Sequence, residues 1–503
     1  MNLLLMPTDE VDSPRARISS GVLEGCSHSG IHAYLGIPYA QAPVEDLRWR
    51  PPQPLQNWEG VRKADKFGPR GMQRPLFDDM VFRSDGMSED CLYLNVWTPA
   101  NPGEERLPVL VYFYGGGLFT GDGSEARYQG ESMARRGIVT LTVNYRLNVF
   151  GFLAHPELSK ESPHAASGNY GFLDQMAALQ WVQENITAFG GDPERVTIAG
   201  ESAGSVSVSA QMMSPLSKDL MAAAIGSSAS ILGTLGAVPL EEGEQVGEKF
   251  QQLAKASSLA ELRSMPAEEL LELTSRMEWA AFLPTIDGYF FPGSVFEMYA
   301  EGKQAKIPLL IGWNSQESPY QAILGEEAPT VEHFQEKLRT LYPNHAEEAI
   351  RLYHAENTEE VTLAARDLAS DRFTGYSSWK WADLHLQTSD QAVFRYLYAH
   401  PRPALSEDSP TGAVHSAEIE YAMGNLPQNR VYRWTAEDYR VSAVFQTYYE
   451  NFVKTGNPNG LGVPNWPAME KDNPQIQIID VKTHSIPEPN RERYLFLDQF
   501  YGK

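Results

Sequence analysis

The chain has 503 residues, 42% of them hydrophobic and 11% aromatic, which is enough to bury a large core. Its formal net charge of −24 argues against binding to nucleic acid or to an anionic membrane surface, both of which need clustered lysine and arginine. No Pro/Gly/Ser-rich linker, repeat or low-complexity run divides it, so residues 1–503 read as one domain.

The N-terminal stretch Met1–Ser20 holds only a short apolar run with no basic segment ahead of it, too little for a secretory signal. Nowhere does the chain approach the ~20 consecutive apolar residues that cross a bilayer. Cys26 and Cys91 are far apart and form no disulfide framework. A soluble, cytoplasmic setting is expected, as a monomer or small homo-oligomer.

Short alternating runs near Leu92–Trp97 predict antiparallel strands at one edge of a sheet. Leu107–Phe113 and Ile138–Asn144 read as strands, Gln175–Asn185 as a helix ending near the turn at Phe189, and Arg195–Ala199 as a third strand. A long, mainly helical insertion follows, with a capping-box pattern at Ser258–Glu261 and a helix first turn at Pro266–Leu270. Strands are predicted again at Ile307–Trp313 and Phe394–Ala399, with a second helical block over about Val331–Leu386 between them. Strands alternating with helices imply an α/β fold around a large, mostly parallel sheet. The insertions stand where they could build a cap over a cleft or simply buttress the sheet.

One segment carries most of the chemistry. Val196–Ala199 reads as a buried strand, Ala203–Met213 as the start of a helix, and between them lies Gly200-Glu201-Ser202-Ala203-Gly204. Glycines two residues either side of the serine remove the Cβ clashes of a tight strand-to-helix reversal. Such an elbow lifts the serine oxygen out of the sheet and aims amide groups at the space beside it. Ser202 is therefore the candidate nucleophile.

A serine hydroxyl needs a histidine base, and the histidine needs a carboxylate to fix its tautomer. In a parallel sheet such groups sit on loops beyond the carboxyl ends of strands. Glu317, a few residues past Trp313 in a loop of small and polar residues, is the candidate acid. Seven histidines follow Ser202, and two of those after the last clear strand stand in a candidate loop setting: His400 at its end, and His415 in a glycine-containing loop before an apolar segment. Periodicity does not choose between them, although the loop setting favours His415. Gly115-Gly116-Gly117, directly after the first strand, offers bare backbone for an oxyanion. Leu118-Phe119 follows where a phosphate loop would need Gly-Lys-Ser/Thr, and no metal-ligand spacing appears, so no metal and no cofactor are expected.

These residues resemble the type-B carboxylesterase family, the α/β-hydrolases that include bacterial p-nitrobenzyl esterases, animal carboxylesterases and, more distantly, cholinesterases. The likeness runs along nearly the whole chain: Gly36-Ile37-Pro38-Tyr39-Ala40, EDCLYLNVW from Glu89, YGGG from Tyr114, NYRLNVFGF from Asn144, GNYGFLDQMAALQWV from Gly168, the elbow, LPTIDG from Leu283 and FVKTGNPN from Phe452. The resemblance implies an α/β-hydrolase fold and a triad of Ser202, Glu317 and His415, with Glu317 in the Gly-x-x-x-x-Glu frame that begins at Gly312. It implies oxyanion donors at Gly116, Gly117 and Ala203, with Glu201 beside the serine and Ser228 as a buried serine near the triad.

The chain departs from the family in three places. Extracellular members pair a cysteine at the position of Cys91 with one upstream, but none stands near Phe67–Gly71, so Cys91 is expected to be a free, buried thiol. Val81-Phe82 lies where cholinesterases carry the tryptophan that holds a quaternary ammonium group, which makes choline esters poor candidates. Ala229 replaces the glycine usual after Ser228.

The expected function is hydrolysis of small-molecule carboxylic esters through an acyl-enzyme, with no nucleic acid or membrane partner. Activity should fall as pH drops through about 6.5, where an unperturbed imidazole protonates. The alternatives are a lipase acting on long-chain esters at an interface and a non-catalytic binding protein on the same fold.

Overall fold

A computed structural model describes residues 13–101, 103–406 and 409–502. The stretch read for a secretory signal therefore lies, up to Asp12, outside the described residues. No helix among the described residues is long and apolar enough to cross a membrane.

An eleven-stranded sheet forms the centre. In chain order its strands are β1 (Cys26–His28), β2 (Ile31–Pro38), β3 (Tyr93–Pro99), β4 (Leu107–Phe113), β5 (Val139–Val143), β6 (Gly191–Glu201), β7 (Ala223–Ser227), β8 (Leu309–Asn314), β9 (Val393–Tyr398), β10 (Gln475–Ile479) and β11 (His484–Pro487). They lie in the order β11-β10-β9-β8-β7-β6-β4-β5-β3-β2-β1. The seven strands from β10 to β5 in that order pair in parallel. The block β1, β2 and β3 is antiparallel and forms one edge, as the alternating pattern near Leu92–Trp97 predicts. At the other edge β11 is antiparallel to β10.

The predicted strands fall on β4, β5, β6, β8 and β9 within a few residues at each end. Two parts of the sheet have no counterpart in the sequence reading. The segment Ala223–Ser227, AAIGS, falls within the expected helical insertion but is a central strand, because β6 and β8 hydrogen-bond it on both sides. With one β-branched residue it carries little intrinsic strand preference, and its neighbours decide its state. The β10–β11 hairpin near the C-terminus was likewise not legible.

Packed on the sheet are α1 (Tyr170–Asn185), which begins five residues ahead of the predicted start, and α2 (Ala203–Met213). Every residue of α2 is buried. Its serines are satisfied: Ser207 Oγ donates within the helix to Ala203 O at 2.9 Å, and Ser205 Oγ to Ala229 O past the end of β7 at 2.6 Å. The second helical block contains α3 (Thr358–Ser370) and α4 (Tyr376–Thr388), joined by a single π-helical turn over Asp371–Gly375. Ser258 caps its helix through Glu261 N–H, but the Glu261 carboxylate turns to Ser257, so only half of the predicted capping box forms. Cys91 is free and buried, and a Cβ built at Gly71 would lie 3.7 Å from its sulfur. Burial pushes its thiol well up.

Register sets the site. Phe113 of β4 pairs with Gly200 of β6, Gly200 with Gly226 of β7, and Gly226 with Ile311 of β8. The carboxyl ends of these strands therefore finish side by side, and the chain leaves them at Tyr114, Ser202, Ser228 and Ser315 along one rim.

Candidate active site

Ser202 stands between β6 and α2 with φ 55° and ψ −123°, a conformation that a side chain rarely adopts. The glycines around it are required by contact. A Cβ at Gly204 would lie 2.1 Å from Phe113 O, and one at Gly200 would lie 2.4 Å from the Gly204 carbonyl carbon. Ser202 N–H donates to Ser227 O at 2.8 Å, which ties the elbow to the end of β7.

Glu317 and His415 reach the serine from two loops zipped to each other. Gln316 N–H donates to Ala413 O at 2.8 Å, and Ala413 N–H to Ser315 Oγ at 3.1 Å. His415 Nε2 lies 2.9 Å from Ser202 Oγ, and its Nδ1 lies 2.5 Å from Glu317 Oε2. Glu317 Oε1 accepts from Asn314 N–H at 2.5 Å and from Ser228 Oγ at 2.6 Å. The Glu317 side chain is fully buried, whereas that of His415 is 27% exposed, so the chain opens to solvent at its histidine end. His400 is placed elsewhere, between Asp438 at 2.9 Å and Asp480 at 3.3 Å. Ser228 and Ala229 both have positive φ, 56° and 146°, so the alanine sits in a backbone state that favours glycine.

The electrostatics are unusual. Glu201 Oε1 is buried, makes no hydrogen bond and lies 3.2 Å from His415 Nε2. Burial pushes Glu201 up to about 8, against the pull of His415. Burial alone would lower His415, but the carboxylates of Glu201 and Glu317 outweigh it and hold the imidazole up at about 10. The two groups titrate as a pair.

Gly116 and Gly117 follow β4 with φ 114° and 69°, and neither N–H meets an acceptor among the described residues. Ala203, the first residue of α2, has an N–H with no intrahelical acceptor. Gly115 packs directly on the elbow: a Cβ there would be 2.7 Å from Glu201 O and 3.1 Å from Ser202 Cβ. Gly117 packs near Phe119 and Trp279, which with Leu76, Leu271, Met277 and Phe282 form apolar walls of a cleft of about 170 Å³. The Trp279 ring stands edge-on to Phe119 at 5.8 Å and is 68% exposed.

Two neighbours of the imidazole escaped the sequence reading. Phe373, on the π-helical turn, places its ring 5.0 Å from that of His415. Glu418 is a third buried carboxylate, whose Oε2 accepts from Asn314 Nδ2 at 2.6 Å. A residue three after the histidine signals nothing by itself; only the fold turns it inward.

The sequence model of the carboxylesterase family matches residues 12–496. The chain belongs to the carboxylesterase family. This carboxylesterase is 34% identical over 488 residues to the fumonisin B1 esterase of Sphingopyxis macrogoltabida, covering 92% of this chain and 86% of that protein. It is 34% identical over 506 residues to liver carboxylesterase 1 of Oryctolagus cuniculus, with 91% and 86% covered. With the para-nitrobenzyl esterase of Bacillus subtilis (strain 168) it shares 31% over 509 residues, with 95% and 97% covered. The carboxylesterase is thus an α/β-hydrolase and a carboxylic ester hydrolase.

Proposed function

We propose that the enzyme cleaves small-molecule carboxylic esters through an acyl-enzyme on Ser202, with His415 as base and Glu317 as the acid that orients it. The observation that carries this reading is the unbroken hydrogen-bonded chain from Ser202 Oγ through the imidazole to Glu317. His415 Nε2 takes the hydroxyl proton as Oγ attacks the carbonyl carbon. The Gly116, Gly117 and Ala203 amides meet the developing oxyanion. The imidazolium then returns its proton to the leaving alcohol as the C–O bond breaks. Water, activated by the same imidazole, attacks the acyl carbon and releases the acid.

Glu201 and Ser228 support the chain without joining the reaction. Ser228 holds one oxygen of Glu317, and Glu201 raises the basicity of His415. The same reading takes the chain as one catalytic domain, since the nucleophile and its partners come from segments that share the central sheet. The apolar cleft beside Gly117 suits an aryl or alkyl group of the ester. This favours an esterase of apolar substrates, and a rate jump at the solubility limit of the substrate would instead mark a lipase.

A phosphonylating inhibitor tests the assignment. It should label one serine per chain and abolish activity, and Ser202→Ala should lose both the label and kcat by a factor on the order of 10⁶. Continued labelling of that variant would overturn the reading.

A further inference from the structure

Between Arg70 and Met87, which pair as an isolated bridge, the chain forms neither helix nor strand. This segment supplies Arg74 and Leu76 to the cleft beside Gly117 and leaves Leu76, Phe77 and Val81 exposed. Polar contacts hold it to the loop that follows the oxyanion glycines. Arg83 N–H donates to Ser124 Oγ at 2.8 Å, and Ser84 Oγ to Asp122 Oδ2 at 2.5 Å. One further contact leads elsewhere. Asp79 Oδ2 accepts from Arg127 Nη1 at 2.9 Å and from Ser416 Oγ at 3.2 Å, and the same Nη1 donates to Ser416 Oγ at 3.1 Å.

Ser416 is the residue after His415, and its φ of 66° is costly for any side chain but glycine. Something must hold it there. Its carbonyl accepts from Arg402 Nη2 at 2.9 Å, and Arg402 is paired with buried Glu420 at 2.7 Å. Its hydroxyl is held by Arg127, whose guanidinium is buried and pairs with Glu125 at 2.7 Å. The Asp79 side chain is 48% exposed while that of Arg127 is only 6% exposed, so Asp79 is the member of the cluster that can let go.

We propose that Asp79, Arg127 and Ser416 form a latch through which the 71–86 segment positions the backbone beside His415. One guanidinium fixes both the wall of the substrate cleft and the left-handed turn that presents the imidazole. All three are positioning residues, and the proposal rests on the reading of His415 as the base. A shift of the His415–Ser416 peptide would lengthen the contacts of the imidazole to Ser202 and to Glu317 together. A displacement of about 1 Å at such a site can cost about 100-fold in rate.

The test compares an acetyl ester of a small alcohol with an ester bearing a bulky aryl group. Asp79→Ala should lower kcat about tenfold for both, because the imidazole is displaced whatever the substrate, and should raise KM for the bulky ester only. Ser416→Gly keeps the left-handed turn but loses the hydroxyl and should lower kcat alike. The double variant should be no slower than the slower single one. Asp79→Asn, which keeps the shape, should show a smaller loss of the same pattern, and serves if the alanine variant unfolds. Additive losses, or an unchanged kcat in both Asp79 variants, overturn the latch. A His415→Ala variant that stays active would instead overturn the reading on which it rests.

Discussion

Three buried carboxylates, Glu201, Glu317 and Glu418, surround one imidazole, and their hydrogen bonds divide their duties. Glu317 accepts from a backbone amide, a serine hydroxyl and the imidazole, so its position is fully determined. Glu201 has an oxygen with no hydrogen bond, 3.2 Å from Nε2. His415 accepts a proton only when neutral. Carboxylates that raise its affinity for protons therefore move the acid limb of kcat/KM upward from 6.5. Glu201→Gln removes one of them and leaves the shape, so the limb should move to lower pH by about one unit or more. A pH–rate profile checks this, and an unmoved limb would remove Glu201 from the electrostatics of the base.

The elbow is a question of how closely α2 can approach β4. Gly204 lets the helix backbone touch Phe113 O, and a methyl group at 2.1 Å has no flexible side chain to displace. Gly204→Ala must push the start of α2 off the sheet, carrying Ser202 and the Ala203 amide with it. A loss of kcat/KM of about 100-fold is expected from a displacement of about an ångström. Gly293→Ala, at a site with nothing within 4 Å of the new methyl, should leave activity unchanged and serves as the control. The π-helical turn between α3 and α4 works on the same principle, because its extra residue changes the helix phase and delivers Phe373 to the His415 ring.

At the scale of the molecule, the sheet brings to one rim residues that lie more than two hundred positions apart in the chain. The end of that sheet depends on a buried ion pair. Arg395 of β9 and Glu488, just past β11, meet at 2.5 Å with side chains 0% and 3% exposed. Glu488→Ala would leave the Arg395 guanidinium buried without its anion, a loss of about 3–5 kcal/mol. Urea unfolding should show this as a lower midpoint. A midpoint equal to that of the unaltered chain would mean that water or a neighbour takes over the charge.

The sequence alone determined the elbow, the glycine run that follows β4 and most of the parallel strands, because each rests on local chemistry: glycine spacing around Ser202, the run Gly115-Gly116-Gly117, and β-branched stretches such as Val139–Val143. It also singled out Glu317 and His415 by their place after strands, although spacing left His400 open beside His415. Tertiary structure decided the rest. Ala223–Ser227 became a strand because two neighbours pair with it, and His400 was removed from contention by Asp438 and Asp480. Glu418, Phe373 and the Asp79–Arg127–Ser416 cluster carry no local signature. Their roles arise from distances between segments remote in sequence, and such distances exist only once the chain has folded.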